Sequence, residues 1–253
     1  ALGEWHRVLH VVTEFPEQAQ KWSHTASVGG TFDGSVSGQW LPLHQALVLG
    51  QHSEPPAADK ENKADALYLE CLQALVRAYP DALLQAETSY DRLPLHCACR
   101  KHASRAIVQS LVQAQPDACL IPDALQRLPL HYALSNGADP DVIDLLMQTH
   151  PQAARGLDHY GFTPLHIACA SGASLSVLES LVQAYPAAVW IASTSGFSVA
   201  QCIPQSPQSS RARHEMRRLV CQAKREHPME QYWTQLMKQK PYQEWVADHA
   251  VLV

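Results

Sequence analysis

The chain has 253 residues, 46% of them apolar and 17% charged. That balance can fill a continuous core and excludes global disorder. Its 19 basic and 24 acidic residues leave a net charge of −5, so no overall basic field draws the protein to nucleic acid. No apolar run approaches the ~18 residues of a membrane helix, and no signal-peptide pattern is visible.

In chain order, Val8, Leu9, Val11 and Val12 lead into Phe15-Pro16-Glu17. Residues 3–15 are predicted to be a helix, the second of an N-terminal half-repeat. A Gly/Ser-rich stretch from Ser27 to Gly38 follows, so residues 1–37 read as a cap and a linker. Then the phrase Leu41-Pro42-Leu43-His44 appears. It returns as Leu93-Pro94-Leu95-His96, Leu128-Pro129-Leu130-His131 and Thr163-Pro164-Leu165-His166, and degenerately as Ser198-Val199-Ala200-Gln201. From residue 93 onward the copies are 35 residues apart. Three of the phrases are followed by a pair of aliphatic pairs: Ile107, Val108, Leu111 and Val112; Val142, Ile143, Leu146 and Met147; Val177, Leu178, Leu181 and Val182, while the first keeps Leu75-Val76. This i, i+1, i+4, i+5 pattern marks a buried helix face. Each second helix is closed by proline, at Tyr79-Pro80, Gln115-Pro116, His150-Pro151 and Tyr185-Pro186. The expected units are 41–80, 93–116, 128–151, 163–186 and a degenerate 196–228. Unit one carries an insertion over 51–66, rich in Pro, Asp, Glu and Lys, which reads as a polar surface loop. The last repeat helix is expected from Ser210 to Glu226, and 229–253 as a helical extension broken at Pro241.

A fixed period of this size implies stacked repeats rather than one closed core. The clearest unit predicts a first helix over 164–171, with Thr163 as N-cap and Pro164 at the first position, and a second over 175–184. The pattern Gly-x-Thr-Pro-Leu-His-x-Ala, a glycine and paired aliphatics, over residues 38–203, resembles the ankyrin repeat. The resemblance implies an all-α, ankyrin-type helical solenoid of stacked helix-turn-helix repeats joined by short hairpin loops. The period of 35 departs from the family's usual 33. Leu41, Leu93 and Leu128 replace the capping Thr. Each loses a hydroxyl cap, a cost of ~1 kcal/mol, which burial of the leucine, contributing ~1.5–3 kcal/mol, offsets.

Candidate chemistry is sparse. His44, His96, His131 and His166 invite a metal or acid–base reading, but they recur in phase, third in each first helix. There the imidazole can bond back to the chain entering the helix, as in a capping box. Cys97, Cys99, His96 and His102 offer zinc-type ligands, yet Cys97 and Cys99 face different sides of a helix and match no structural zinc spacing. No catalytic triad, phosphate-cradling loop or zincin motif is present. The expectation is no catalytic residue, no metal and no cofactor. The seven cysteines are odd in number and scattered, which suits reduced thiols in an intracellular compartment.

In ankyrin repeats, partners usually lie along the hairpin tips and the exposed side of the first helices. Transferred by position, the tips are Trp40, Arg92, Arg127, Phe162 and Phe197, with Tyr90, Leu125 and Tyr160 two residues earlier; the first-helix sites are Gln45, Cys97, Tyr132 and Ile167. Tyr, Trp, Phe and Arg are the residues of interaction hot spots; the same side chains could instead stack within the repeats. Trp233 and Trp245 in the extension either cap the last unit or anchor a partner. The expected partner set is therefore Trp40, Tyr90, Arg92, Arg127, Tyr132, Tyr160, Phe162, Phe197, Trp233 and Trp245, and the expected function a non-enzymatic scaffold, adaptor or accessory subunit of a larger assembly. The alternative is an anionic surface, phosphorylated partner or nucleic acid bound by the basic helix 211–225 through Arg213, Arg217 and Arg218.

Overall fold

A computed structural model describes residues 2–21, 23–25, 38–49, 58–205 and 207–232. Helices dominate, in pairs set by the repeat. Two compact units divide the chain, 1–124 and 125–253.

The first unit begins with α1 (Leu2–Glu14), close to the predicted 3–15, and the 3-10 turn Pro16–Gln20. Next come β1 (Ser23–Thr25) and β2 (Gly38–Trp40), an antiparallel ribbon with His24 opposite Gln39. The ribbon was not expected; the linker expected from Ser27 to Gly38 falls, up to residue 37, outside the described residues. Then follow α2 (Pro42–Leu49), α3 (Ala58–Ala78), α4 (Pro94–Arg100) and α5 (Arg105–Ala114). The predicted loop over 51–66 is corrected from residue 58 onward, where α3 already runs. Ala58 to Ala66 contains no Gly or Pro and mostly good helix formers, so the helix extends as far as its sequence allows. Residues 51–57 lie outside the described set. Helix α3 joins the unit together. Its Tyr68 ring lies 4.8 Å from Trp5 of α1, its Tyr68 hydroxyl donates to the Ala46 carbonyl of α2 at 2.9 Å, and its Cys71 thiol donates to the Trp5 carbonyl at 3.1 Å.

The second unit repeats the helix pair more regularly: α6 (Pro129–Ser135), α7 (Pro140–Thr149), α8 (Pro164–Ser171), α9 (Leu175–Ala184), α10 (Val199–Cys202) and α11 (Ser210–Glu226). Helices α8, α9 and α11 occupy the spans predicted. Their aliphatic pairs form the core: Val142, Ile143, Leu146, Val177, Leu178 and Leu181 are all buried. Gly172 ends α8 in the left-handed conformation at φ 81°.

The prolines that close the second helices do more than stop them. Each also begins a 3-10 turn: Pro80–Leu84, Pro116–Leu120, Pro151–Arg155 and Pro186–Trp190. Proline suits that first position because its missing N–H has no partner to lose. Small residues two and three positions on are buried, as with Ala118 and Cys119, or Ala153 and Ala154. The stretch after each of these second helices is therefore an ordered element.

Candidate protein-binding surface

Hairpins connect the repeats, and one turn recurs with different chemistry. In the second unit the Asp158 N–H donates to the Phe162 carbonyl at 3.0 Å, closing the turn. Asp158 Oδ1 accepts the N–H groups of Tyr160 and Phe162, both at 2.9 Å. Ser193 does the same for the next hairpin, accepting from the Phe197 N–H at 3.0 Å. In the first unit Glu87 takes this role, accepting from the Tyr90 N–H at 3.0 Å and from Ser89. Position four or five of each turn has positive φ: 55° at Asp91, 57° at Gln126, 75° at Gly161 and 78° at Gly196. Neighbouring hairpins bond edge to edge. Ala124 N–H donates to the Tyr90 carbonyl in the first unit; His159 N–H to the Leu125 carbonyl and Thr194 N–H to the Tyr160 carbonyl in the second.

From each turn the chain enters a first helix, where the recurring histidines act. Nδ1 of His96, His131 and His166 accepts the N–H of Leu93, Leu128 and Thr163 at 3.1, 3.0 and 3.2 Å. Nε2 then carries the proton. In His131 it donates to the Phe162 carbonyl of the following hairpin at 3.3 Å, and in His44 to the Arg92 carbonyl at 3.2 Å. Gln201 stands in the histidine's place in the last unit, and its side-chain oxygen accepts the Ser198 N–H at 2.8 Å. A group that cannot titrate therefore performs the same task, which makes the histidines structural. Burial pushes His44 and His166 down to about 4, against opposing backbone hydrogen bonds. The leucines at the N-cap are buried, and so are Cys97, Cys119 and Cys169, which corrects the placing of Cys97 on the exposed side of a first helix: burial pushes Cys97 and Cys169 up to about 12 and Cys119 up to about 11. Among the described residues, no three His, Cys, Asp or Glu gather where they could hold a metal ion.

The expected partner residues separate into three groups. Trp40, Arg92 and Tyr132 are corrected: they are buried at 5, 3 and 7% exposure and face their own unit. Trp40 lies edge-on to His44, 6.3 Å between ring centroids. Arg92 pairs with Glu87 at 2.9 Å and lies 4.7 Å from the Tyr90 ring, and the Arg127 guanidinium lies 5.9 Å from the Tyr132 ring. Tyr90, Arg127 and Phe162 are half-buried. Arg127 reaches Asp158 at 3.6 Å, and Phe162 lies edge-on to His166 at 5.6 Å. Tyr160 and Phe197 stand out at 48 and 43% exposure. Trp233 and Trp245 lie outside the described residues.

A family model for ankyrin repeats, three copies, matches residues 95–190. Residues 95–190 carry ankyrin repeats. No curated protein matches the chain. Ankyrin repeats are in general protein–protein interaction modules and typically lack enzymatic activity. Among the described residues, no helix is long and apolar enough to cross a membrane.

Two features of the ankyrin hairpins escaped the sequence reading. One is the acid at the base of the turn, Glu87, Asp123 and Asp158, all buried. Its signal was present, an acidic residue six or seven positions before Pro94, Pro129 and Pro164. The other is the buried Arg92. An arginine at a loop tip looks exposed, and only the carboxylate five residues earlier indicates otherwise.

Proposed function

We propose that this protein is a non-enzymatic binding module that takes a partner protein on the second unit's hairpins, with Tyr160 and Phe197 as anchors and Phe162 and Arg127 beside them. The observation that carries it is the pair of large aromatic side chains held outward on neighbouring hairpins whose backbones are fixed by hydrogen bonds. Asp158 and Ser193 fix the two turns, and Thr194 ties one to the other through the Tyr160 carbonyl. A prefixed aromatic loses little conformational freedom on binding, so most of its buried area contributes to affinity. An adaptor or accessory-subunit role in a larger assembly, in a reducing intracellular compartment, fits this surface and the six buried free thiols.

The test is affinity capture from native extract with the wild-type protein and with Tyr160→Ser/Phe197→Ser. Loss of two hot-spot anchors weakens a complex by about 4 kcal/mol or more, while exposed positions leave the fold intact. A stoichiometric partner retained by the native protein and absent from the variant is expected. An identical set of bound proteins on both would defeat the reading.

A further inference from the structure

Helix α11 presents two faces of opposite character. Met216, Val220 and Ala223 are buried and fix its rotation. On the outward side, at helical spacing, His214, Arg217, Arg218, Cys221 and Arg225 are all exposed. The helix has two acids, and each meets a neighbour on its own helix: Glu215 with Arg211 at 3.3 Å, and Glu226 with the Gln222 amide at 2.8 Å. Lys224 lies 4.7 Å from the Trp190 ring. The helix dipole accounts for cations in the last turn, Lys224 and Arg225. It does not account for Arg217 and Arg218, mid-helix, whose like charges repel one another and Arg225. This cationic stripe occurs on a chain of net charge −5.

We infer that the outward stripe of α11 is a docking site for one Asp/Glu-rich peptide segment of a partner protein. Charge complementarity sets the sign of the partner, and the flank of the stripe sets its width. Along one side runs a groove of about 700 Å³ between α9 and α11, with three carboxylates in its lining, Glu179, Glu215 and Glu226, beside the one arginine it shares with the stripe, Arg218. A membrane surface or a nucleic-acid duplex is wide enough to meet those carboxylates and be repelled. A single peptide lying along the stripe is not. From His214 to Arg225 the stripe is ~16 Å long at 1.5 Å per residue, the span of about five extended residues. Arginine forks engage carboxylates two oxygens at a time, which suits a peptide of closely spaced acids. The site is separate from the aromatic hairpins, and its failure leaves that reading standing.

Cys221 supplies the readout. It is the one exposed thiol of the seven, at the centre of the stripe. The experiment follows its alkylation by N-ethylmaleimide in the intact protein while an all-glutamate peptide of about ten residues, long enough to cover the stripe, is titrated in. Phosphatidylserine vesicles and duplex DNA are titrated in parallel. The peptide is expected to slow alkylation, and salt to abolish the protection. Arg217→Glu/Arg218→Glu, both exposed and checked for native circular dichroism, is expected to raise the half-protecting peptide concentration by about tenfold or more. Tyr160→Ser/Phe197→Ser is expected to leave it unchanged. Absence of protection, equal protection in the charge-reversed variant, or stronger protection by vesicles or DNA would overturn the inference.

Discussion

The hairpin at Glu87–Arg92 and the hairpin at Asp158–Phe162 reach the same turn by different chemistry. In the first, the carboxylate is buried together with its cation, Arg92, at 0 and 3% side-chain exposure. Burial works to raise Glu87, but the hydrogen bond and charge of Arg92 and the Ser89 N–H outweigh it and hold the carboxyl below its ordinary value. In the second, Asp158 spends Oδ1 on two backbone N–H groups, and Oδ2 has the Arg127 guanidinium 3.6 Å away. Burial prevails there and raises the Asp158 carboxyl. Arg127, a third exposed, keeps much of its water. The first hairpin turns its arginine inward and closes on itself. The second holds its backbone with a short acid and leaves Tyr160 outward. A recurrent backbone can thus be locked in one place and left available in another.

The comparison is tested most severely by removing each acid's charge. Glu87→Gln leaves the buried Arg92 guanidinium without its counter-charge and is expected to cost ~3–5 kcal/mol. Asp158→Asn keeps an oxygen for the two N–H donors, removes a charge that burial disfavours and releases a guanidinium that water can reach. It is expected to change stability by less than ~1 kcal/mol. Urea unfolding of both variants measures the difference. Equal losses would remove the distinction between the hairpins.

Acid acts on both hairpins through their histidines. His44 and His166 are held down to about 4, well below the ordinary 6.5, so the folded protein keeps them neutral. As pH falls below 6.5 the unfolded chain binds protons that the folded one refuses. Stability is therefore full above pH 6.5, falls between 6.5 and 4, and levels off below 4 for these groups, by ~3 kcal/mol per histidine. Glu87, held low by Arg92, adds a loss at more acid pH, whereas Asp158, held high, works in the opposite direction. His166→Gln sharpens this, because Gln201 already performs the same capping without a titrating group. The variant is expected to lose less stability than wild type between pH 6.5 and 4, as followed by thermal melting across that range. An unchanged pH profile would exclude His166 as a contributor.

How much of this was legible depended on whether the cause was local. The helix spans of α8, α9 and α11 and the histidine back-bond follow from period and capping chemistry within a few residues. The burial of Trp40, Arg92 and Tyr132 does not. Arg92 and Tyr160 both lie in hairpin turns and both look like loop residues. What separates them is whether a buried acid nearby turns the chain's own cation inward, a choice made in three dimensions. The β1–β2 ribbon escaped because its strands have three residues each, too few for alternation to register. The start of α3 at Ala58 escaped because its charged residues were grouped with Pro55-Pro56 as one polar loop, although Ala, Lys and Glu beyond the prolines favour a helix.

The smallest expected effect concerns the turn itself. Gly161 and Gly196 share the left-handed conformation, at φ 75° and 78°. A Cβ on Gly161 would come within 2.9 Å of the Thr194 backbone nitrogen and 3.3 Å of the Ser193 Cα; a Cβ on Gly196 would meet nothing within 4 Å. Alanine at either site incurs the conformational cost of positive φ, ~1 kcal/mol. Only at Gly161 must the neighbouring hairpin also move, straining the bond from the Thr194 N–H to the Tyr160 carbonyl. Gly161→Ala is therefore expected to lose ~2 kcal/mol or more and Gly196→Ala ~1 kcal/mol. The conformational part alone is tolerable, since Asp91 and Gln126 already occupy this region with side chains. Denaturant midpoints compare the two directly. If the pair lose the same amount, the close approach of the hairpins contributes nothing, and the rigid presentation of Tyr160 beside Phe197 has to be rejected with it.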